Sequence, residues 1–443
     1  MNSIYVCFLR LIFTVVIIYM GSNISKDALL GYISARIAIC WRNKMGNYAE
    51  MEKLIDSTIK KSIDNNEVAG MNLLVVKDGK EVIYTEQGKA DIGENKDFKR
   101  DTIIRLYSQS KPVTAAAVMK LMEDGVIDLT QAVSDFLPGF KDQYYLQNGE
   151  WKKLESPMLV YHLLSMTSGL SYPAEDNING VQVDKIFKEA DSRLYTDNAM
   201  TTMELCNAIG KCVLSYRPGS SWMYGTSADV LGAVVESASG MKFSEYLKRN
   251  IFEPLGMKDT AFWVPEDKQD RLARTYETVW DENGNTKDMI EYTGDNLLIM
   301  NRMKTQPAFE SGGAGLASTL DDYMKFATML NNNGTYEGVQ VLKPETVRYM
   351  ISPTLRESSR HGFNWVGLEG YSYGNLLRVC KDPSLSPVML RMGEYGWDGW
   401  LGPYFANFPN ENMTILMGMQ KRDAGTWTLT RKLRNIILSN VLE

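Results

Sequence analysis

Histidine is almost absent from this chain of 443 residues, which carries only His162 and His361. Two imidazoles cannot build a multi-histidine metal centre, and no HExxH or paired CxxC stretch compensates. A metallohydrolase is therefore set aside, and no metal or cofactor is expected. Cysteine is scarce and odd in number: Cys7, Cys40, Cys206, Cys212 and Cys380 are scattered along the chain. They form no disulfide framework, and Cys206 and Cys212, near each other in sequence, are expected as buried free thiols. An excess of positive charge is also missing. The 48 Lys and Arg against 54 Asp and Glu give a net charge of −6, so no broad basic footprint exists for nucleic acid. Internal repeats and low-complexity tracts are lacking too. What is present, 44% hydrophobic and 23% charged residues, describes a globular protein able to bury a large core.

Residues 1–50 stand apart. Ile4 to Gly21 is apolar except for Arg10, a length suited to a short membrane span or to the apolar part of a signal segment. No small-residue cleavage site follows, and Ile37–Cys40 places a bulky Ile where a lipoprotein signal has a small residue. Lys26, Arg36, Arg42 and Lys44 follow the stretch. If residues 4–21 span a membrane, these charges place the main domain on the cytoplasmic side. A natural start at Met45 or Met51 is the third reading, and export is the least supported.

From Met51 the order of patterns defines the fold class. Leu54, Ile55, Ile59 and Ile63 give an amphipathic helix over Met51–Asn65. Asp78-Gly79 marks a hairpin inside MNLLVVKDGKEVIYTEQG. A helix runs from Ser108 to Gly125, and mostly helical patterns continue to about residue 310. Within them Val279–Glu310 is polar and weakly periodic, the mark of a surface excursion bordering a cleft. Strands are expected again at GFNWVGLEG, YSYGNLLRV, YFANF and MTILMGMQ, then a last helix carrying Leu429, Leu433 and Ile437. The expected class is α+β: an antiparallel sheet from both chain ends, flanked by terminal helices, with a helical block inserted. Residues 51–443 then form one catalytic domain, with a sheet subdomain (51–107 and 311–443) and a helical subdomain (108–310).

With so little histidine, a serine nucleophile needs another base. A lysine three residues downstream on a helix shares its face, and burial near the positive helix start disfavours the ammonium. Ser-x-x-Lys occurs three times, at Ser57/Lys60, Ser108/Lys111 and Ser239/Lys242. The first lies on the polar face of the opening helix, and the third sits at a helix-ending Gly240. Ser108 follows the strand-like IIRLY and opens an apolar helix, with Pro112 tolerated in its first turn. Spacing alone leaves a plain N-cap serine open for Ser108.

Its neighbours favour more. RLYSQSKPVTAAAVMKLMEDGVIDL, HLLSMTSGL, RPGSSWMYGTSADVLGAVVE, SGGAGLASTLDDYMKFATMLNNNG and EYGWDGWLGPYF, in that order, resemble the serine beta-lactamase-related family. That family includes class C beta-lactamases, penicillin-binding DD-peptidases and carboxylesterases on the same scaffold. The resemblance runs from about Met51 to the end of the chain. It implies Ser108 as the nucleophile of an acyl-enzyme, Lys111 as its base partner and Tyr224 as the proton shuttle. It implies an oxyanion hole from the backbone N–H groups of Ser108 and Trp400, with a third motif at Trp397, Asp398 and Gly399. Thr226 and Gly313 would line the substrate cleft.

Two departures narrow the substrate. The second motif usually ends in Asn, and here it reads Tyr224-Gly225-Thr226, without that amide. The third motif of beta-lactamases begins with Lys, and here Trp397 and Asp398 stand in its place. Asp398, unless screened, would repel a substrate carboxylate. The expected activity is esterase-like hydrolysis of a small ester or amide through an acyl-enzyme. A D-amino-acid peptidase or beta-lactamase is the alternative, and a binding or sensor module without turnover is the third. SGGAG is read as a tight turn before a helix capped by Ser318 and Asp321. His162 is expected near a helix end in a structural role.

Overall fold

Two almost wholly buried runs, Gly70–Lys77 and Met413–Met419, build the centre of one antiparallel sheet. The computed structural model describes residues 48–441 apart from 285 and 426. The apolar stretch 4–21, with Cys7 and Cys40, lies outside the described residues. Eight strands form the main sheet: β1 (Gly70–Lys77), β2 (Lys80–Asp91), β3 (Lys96–Asp97), β4 (Tyr371–Tyr373), β5 (Arg378–Cys380), β6 (Tyr395–Asp398), β7 (Tyr404–Phe408) and β8 (Met413–Met419). Their spatial order is β4-β5-β6-β7-β8-β1-β2-β3. Strands from the two ends of the chain meet where β1 pairs antiparallel with β8, Leu74 opposite Leu416. Both strands are buried almost throughout, as a two-sided core strand requires.

Helices precede and follow this sheet in sequence, over 48–64 and Thr428–Asn440. Most of the chain between β3 and β4 is helical or irregular. The helices that matter for the site are α1 (Lys111–Glu123), α2 (Ser227–Ser239) and α3 (Leu320–Asn331). Helix α1 is buried on nearly every side, the pattern of a central rather than a surface helix. Gly125, at φ +73°, ends it. The described residues form two units: the chain ends, up to Ile55 and from Ile436, and a large unit, Asp56–Asn435. Every candidate site residue lies in the large unit. Among the described residues no helix is long and apolar enough to cross a membrane, and no three His, Cys, Asp or Glu gather as metal ligands.

Several local expectations need correction. Residues 362–370, GFNWVGLEG, form turns instead of a strand. A Cβ on Gly362 would lie 2.0 Å from the Trp222 carbonyl oxygen, and Gly367 and Gly370 take positive φ, so glycine geometry overrides β-propensity there. YSYGNLLRV is two short strands, β4 and β5, around a turn with Leu376 at φ +60°. The polar excursion after Val279 contains a hairpin, Tyr276–Trp280 against Thr286–Glu291. Helix α3 is capped by Thr319, whose side chain accepts the Asp322 N–H, while Ser318 Oγ pairs with Thr260 Oγ1 at 2.7 Å. The Asp78-Gly79 hairpin forms as its residues dictate, both at positive φ. Cys206, Cys212 and Cys380 are buried and free.

His162 sits in the short helix Val160–Leu164 and accepts the Leu159 N–H at Nδ1 (3.0 Å). Burial, with Arg356 adding to it, lowers its pKa from 6.5 to about 4. The unfolded chain therefore binds the extra proton between these values, so this stability is complete above pH 6.5 and is lost as pH falls toward 4. The loss should reach about 3 kcal/mol. Urea unfolding between pH 7 and 4 should show this slope in the wild type and a shallower one in His162→Gln.

Candidate active site

Ile104 and Arg105 pair antiparallel with Ala317 and Ser318, which lays the turn at Ser311–Gly315 beside the start of α1. The Leu106 N–H donates to the Leu316 carbonyl at 2.8 Å, and the Leu316 N–H donates to Ser110 Oγ at 3.1 Å. Between these clamps Tyr107 takes φ +46°, an uncommon conformation for a bulky residue. A single 3-10 turn, Tyr107–Ser110, then leads into α1. Ser108 is thus not an N-cap. It is the only partly exposed residue between Thr102 and Lys111, all the others being buried.

Lys111 is fully buried. Its Nζ donates to Ser108 Oγ (3.1 Å), to the Tyr172 hydroxyl (3.1 Å) and to the Gly313 carbonyl (2.8 Å). These three bonds use all three donors of an ammonium. No carboxylate forms an ion pair with Lys111 among the described residues. The ammonium also lies 4.6 Å from the centre of the Tyr224 ring, within cation–π range. The Tyr224 hydroxyl accepts the Trp397 Nε1–H at 3.1 Å. Tyr172 was not singled out by any motif; it is the second residue after HLLSMTSGL. Burial, reinforced by the nearby Asp229, pushes its phenol well above the ordinary range, so it stays protonated.

The third-motif residues divide between two sides of the sheet. Consecutive strand residues point opposite ways: Trp397 faces Tyr224, while Asp398 pairs with Arg378 Nη1 at 2.8 Å. The expected repulsion of a substrate carboxylate by Asp398 therefore falls away. Gly399 turns the chain against Leu106, where a Cβ would lie 2.2 Å from the Leu106 carbonyl oxygen. That approach brings Trp400 beside the nucleophile segment, its ring 4.9 Å from Tyr107. The Trp400 N–H meets no protein acceptor among the described residues. Its indole donates to Asp423 at 2.6 Å and packs on Tyr292 from the polar excursion.

Thr226 needs correction as a cleft residue. It is fully buried and its hydroxyl is directed at the Ser171 carbonyl (3.4 Å). Gly313 does border the site, through its carbonyl on Lys111. Beyond Tyr224 the wall is aromatic: Trp222, Phe363, Trp365, Tyr373 and Trp397 meet edge to face, and Trp365 is half exposed. The other two Ser-x-x-Lys pairs are spent elsewhere. Lys60 is paired with Asp64 at 2.8 Å, and Ser239 Oγ donates to the Val235 carbonyl at 2.6 Å.

The Arg378–Asp398 pair is buried, with both side chains under an eighth exposed. Removing the cation alone leaves an unpaired buried carboxylate, so Arg378→Met should cost about 3–5 kcal/mol of stability. The double variant Arg378→Met, Asp398→Leu should recover much of it, as chemical denaturation of the three proteins would show.

Known proteins carry the same framework. The chain is 28% identical over 366 residues to esterase EstB of Burkholderia gladioli, covering 80% of this chain and 86% of that protein. It is 26% identical over 396 residues to a putative D-alanyl-D-alanine carboxypeptidase of Escherichia coli, covering 84% and 83%. Among solved structures, EstCE1, a hydrolase with promiscuous acyltransferase activity, matches with a TM-score of 0.72 at 23% identity, over 88% of this chain and 99% of that one. The beta-lactamase family model matches residues 55–436, and the chain accordingly belongs to the beta-lactamase family, as a serine hydrolase of that fold.

Proposed function

We propose that this hydrolase cleaves small uncharged esters through an acyl-enzyme on Ser108. The observation that carries the proposal is the contact of a fully buried Lys111 with Ser108 Oγ. When Lys111 is neutral it takes the Ser108 proton while Oγ attacks the ester carbonyl. The tetrahedral oxyanion is received by the N–H groups of Ser108 and Trp400. The departing alkoxide regains a proton through Tyr224, and water then releases the acid from Ser108. Tyr224 suits the shuttle by position: its oxygen receives the Trp397 N–H and its ring lies against the Lys111 ammonium. Tyr172, held as a phenol, orients Lys111.

The preference for an uncharged substrate rests on what lines the cleft. Trp397 replaces a cation, and Asp398 turns away to Arg378. Arg422, near Trp400, is already paired with Glu277. A terminal carboxylate, which a D-alanyl peptidase or a penicillin-type substrate presents, meets aromatic surface instead of a free positive charge. EstB is named as an esterase, and the proposal extends that chemistry to this chain.

Short-chain nitrophenyl esters and a chromogenic cephalosporin, assayed with wild type and Ser108→Ala, test this reading. Ester turnover should be present in the wild type and lost in Ser108→Ala; turnover that persists in the variant sinks the mechanism. Faster turnover of the cephalosporin than of the ester would move the substrate class to the beta-lactams. Tyr224→Phe should lower kcat by roughly 10²–10⁴. Tyr172→Phe, which removes one hydrogen bond to Lys111, should lower it by about tenfold. The reverse ranking would transfer the shuttle to Tyr172.

A further inference from the structure

Asp229 lies in the first turn of α2, between Ala228 and Val230, and is buried. A carboxylate in so apolar a setting requires partners. Its Oδ1 accepts the Ser311 hydroxyl and the Gly313 N–H (3.0 Å). Ser311 Oγ in turn accepts the Ala314 N–H at 2.9 Å. Ala314 N–H belongs to the same peptide unit as the Gly313 carbonyl, and that carbonyl accepts Lys111 Nζ. One unbroken chain therefore runs from the Asp229 carboxylate through Ser311 and the Gly313–Ala314 peptide to the Lys111 ammonium. Each bond in such a chain polarises the next.

The glycine is needed for this convergence. A Cβ on Gly313 would lie 2.8 Å from the Tyr172 hydroxyl and 2.9 and 3.0 Å from the two Asp229 carboxyl oxygens. The turn is fixed from α1 as well, where Thr114 Oγ1 donates to the Gly312 carbonyl at 2.7 Å. Burial raises the pKa of Asp229, while Lys111, Ser311 and Gly313 pull it back.

We infer that Asp229 is a positioning residue for Lys111: its negative charge, relayed through Ser311 and the Gly313–Ala314 peptide, aligns the carbonyl that holds Lys111 against Ser108 and so sets the pH dependence with which Ser108 is activated. The inference rests on the reading of Lys111 as the base of Ser108. The other titratable groups around these two are Tyr172, Tyr224 and Tyr373, and Cys206, whose Sγ donates to the Asp229 carbonyl at 3.5 Å. Burial pushes Tyr172, Tyr373 and Cys206 well up, so they remain neutral. Glu236 and Glu310, on neighbouring segments, are engaged by the Phe243 and Ser244 N–H groups and by Gln306. Asp229 is left as the carboxylate that answers Lys111.

The test compares pH profiles of kcat/KM for nitrophenyl acetate in the wild type, Asp229→Asn and Ser311→Ala. The amide in Asp229→Asn keeps an acceptor oxygen but removes the charge. With the charge gone, the cationic resting site is less favoured, so the rising limb should move to lower pH by about one unit or more. Below the wild-type limb the variant should then be about tenfold faster than the wild type, with KM on the plateau unchanged. Ser311→Ala breaks the relay and should move the limb the same way by less. A limb that stays in place in an Asp229→Asn protein with wild-type unfolding midpoint overturns the inference. If Asp229→Asn does not fold, Ser311→Ala decides, and an unmoved limb there overturns it. Labelling by a fluorophosphonate separates the two claims. No label on Ser108 in the wild type defeats the Ser108 reading, whereas labelling with an unmoved limb defeats only the role of Asp229.

Discussion

A buried ammonium held by three protein oxygens and the face of Tyr224 governs the site. Lys111 has no exposed surface, and moving such an ion out of water is costly unless every donor is met. Meeting them draws together parts of the chain far apart in sequence: Ser108 from the turn before α1, Tyr172 from the loop after a short helix, and Gly313 from the turn before α3. The antiparallel pairing of Ile104–Arg105 with Ala317–Ser318 supplies the frame for that meeting. Imidazole is absent from the site, which gathers one amine with the phenols of Tyr172 and Tyr224.

The sheet contributes the opposite wall. Gly399 approaches Leu106 so closely that no side chain fits there, and the next residue, Trp400, packs its ring on Tyr107. Strand alternation gives Trp397 to the cleft and sends Asp398 to Arg378. The result sets a Trp400 N–H without a protein acceptor among the described residues near the Ser108 turn, with aromatic side chains beyond Tyr224.

Much of this was legible in the residues. Ser-x-x-Lys at the start of an apolar helix, in order with four further segments, singled out Ser108, Lys111, Trp397 and Gly313, and the structure links Lys111 to Ser108 and Gly313, and Trp397 to Tyr224. Asp398 was expected toward the substrate, but neighbours on a strand cannot share a face, and it turns to Arg378. Tyr172 was not legible: its contact with Lys111 bridges 61 positions, and nothing local marks one tyrosine among 23. Asp229 did leave a trace, a carboxylate set inside SADVLGAVV on an otherwise apolar helix, but its partners lie more than eighty residues away. Thr226 was misplaced because a short polar residue after the motif tyrosine serves equally well at a buried helix start. GFNWVGLEG was misread because its aromatic and β-branched residues suggest a strand, whereas its glycines are required by a carbonyl contact and positive φ.

The central claim is that Ser108 carries the acyl group, and acid-quenched mass spectrometry during ester turnover tests it most directly. The wild-type protein should gain the mass of one acyl group, on the peptide containing Ser108, and Ser108→Ala should gain none. An adduct on another peptide, or steady turnover with no adduct at Ser108 in a burst-phase quench, would contradict the account.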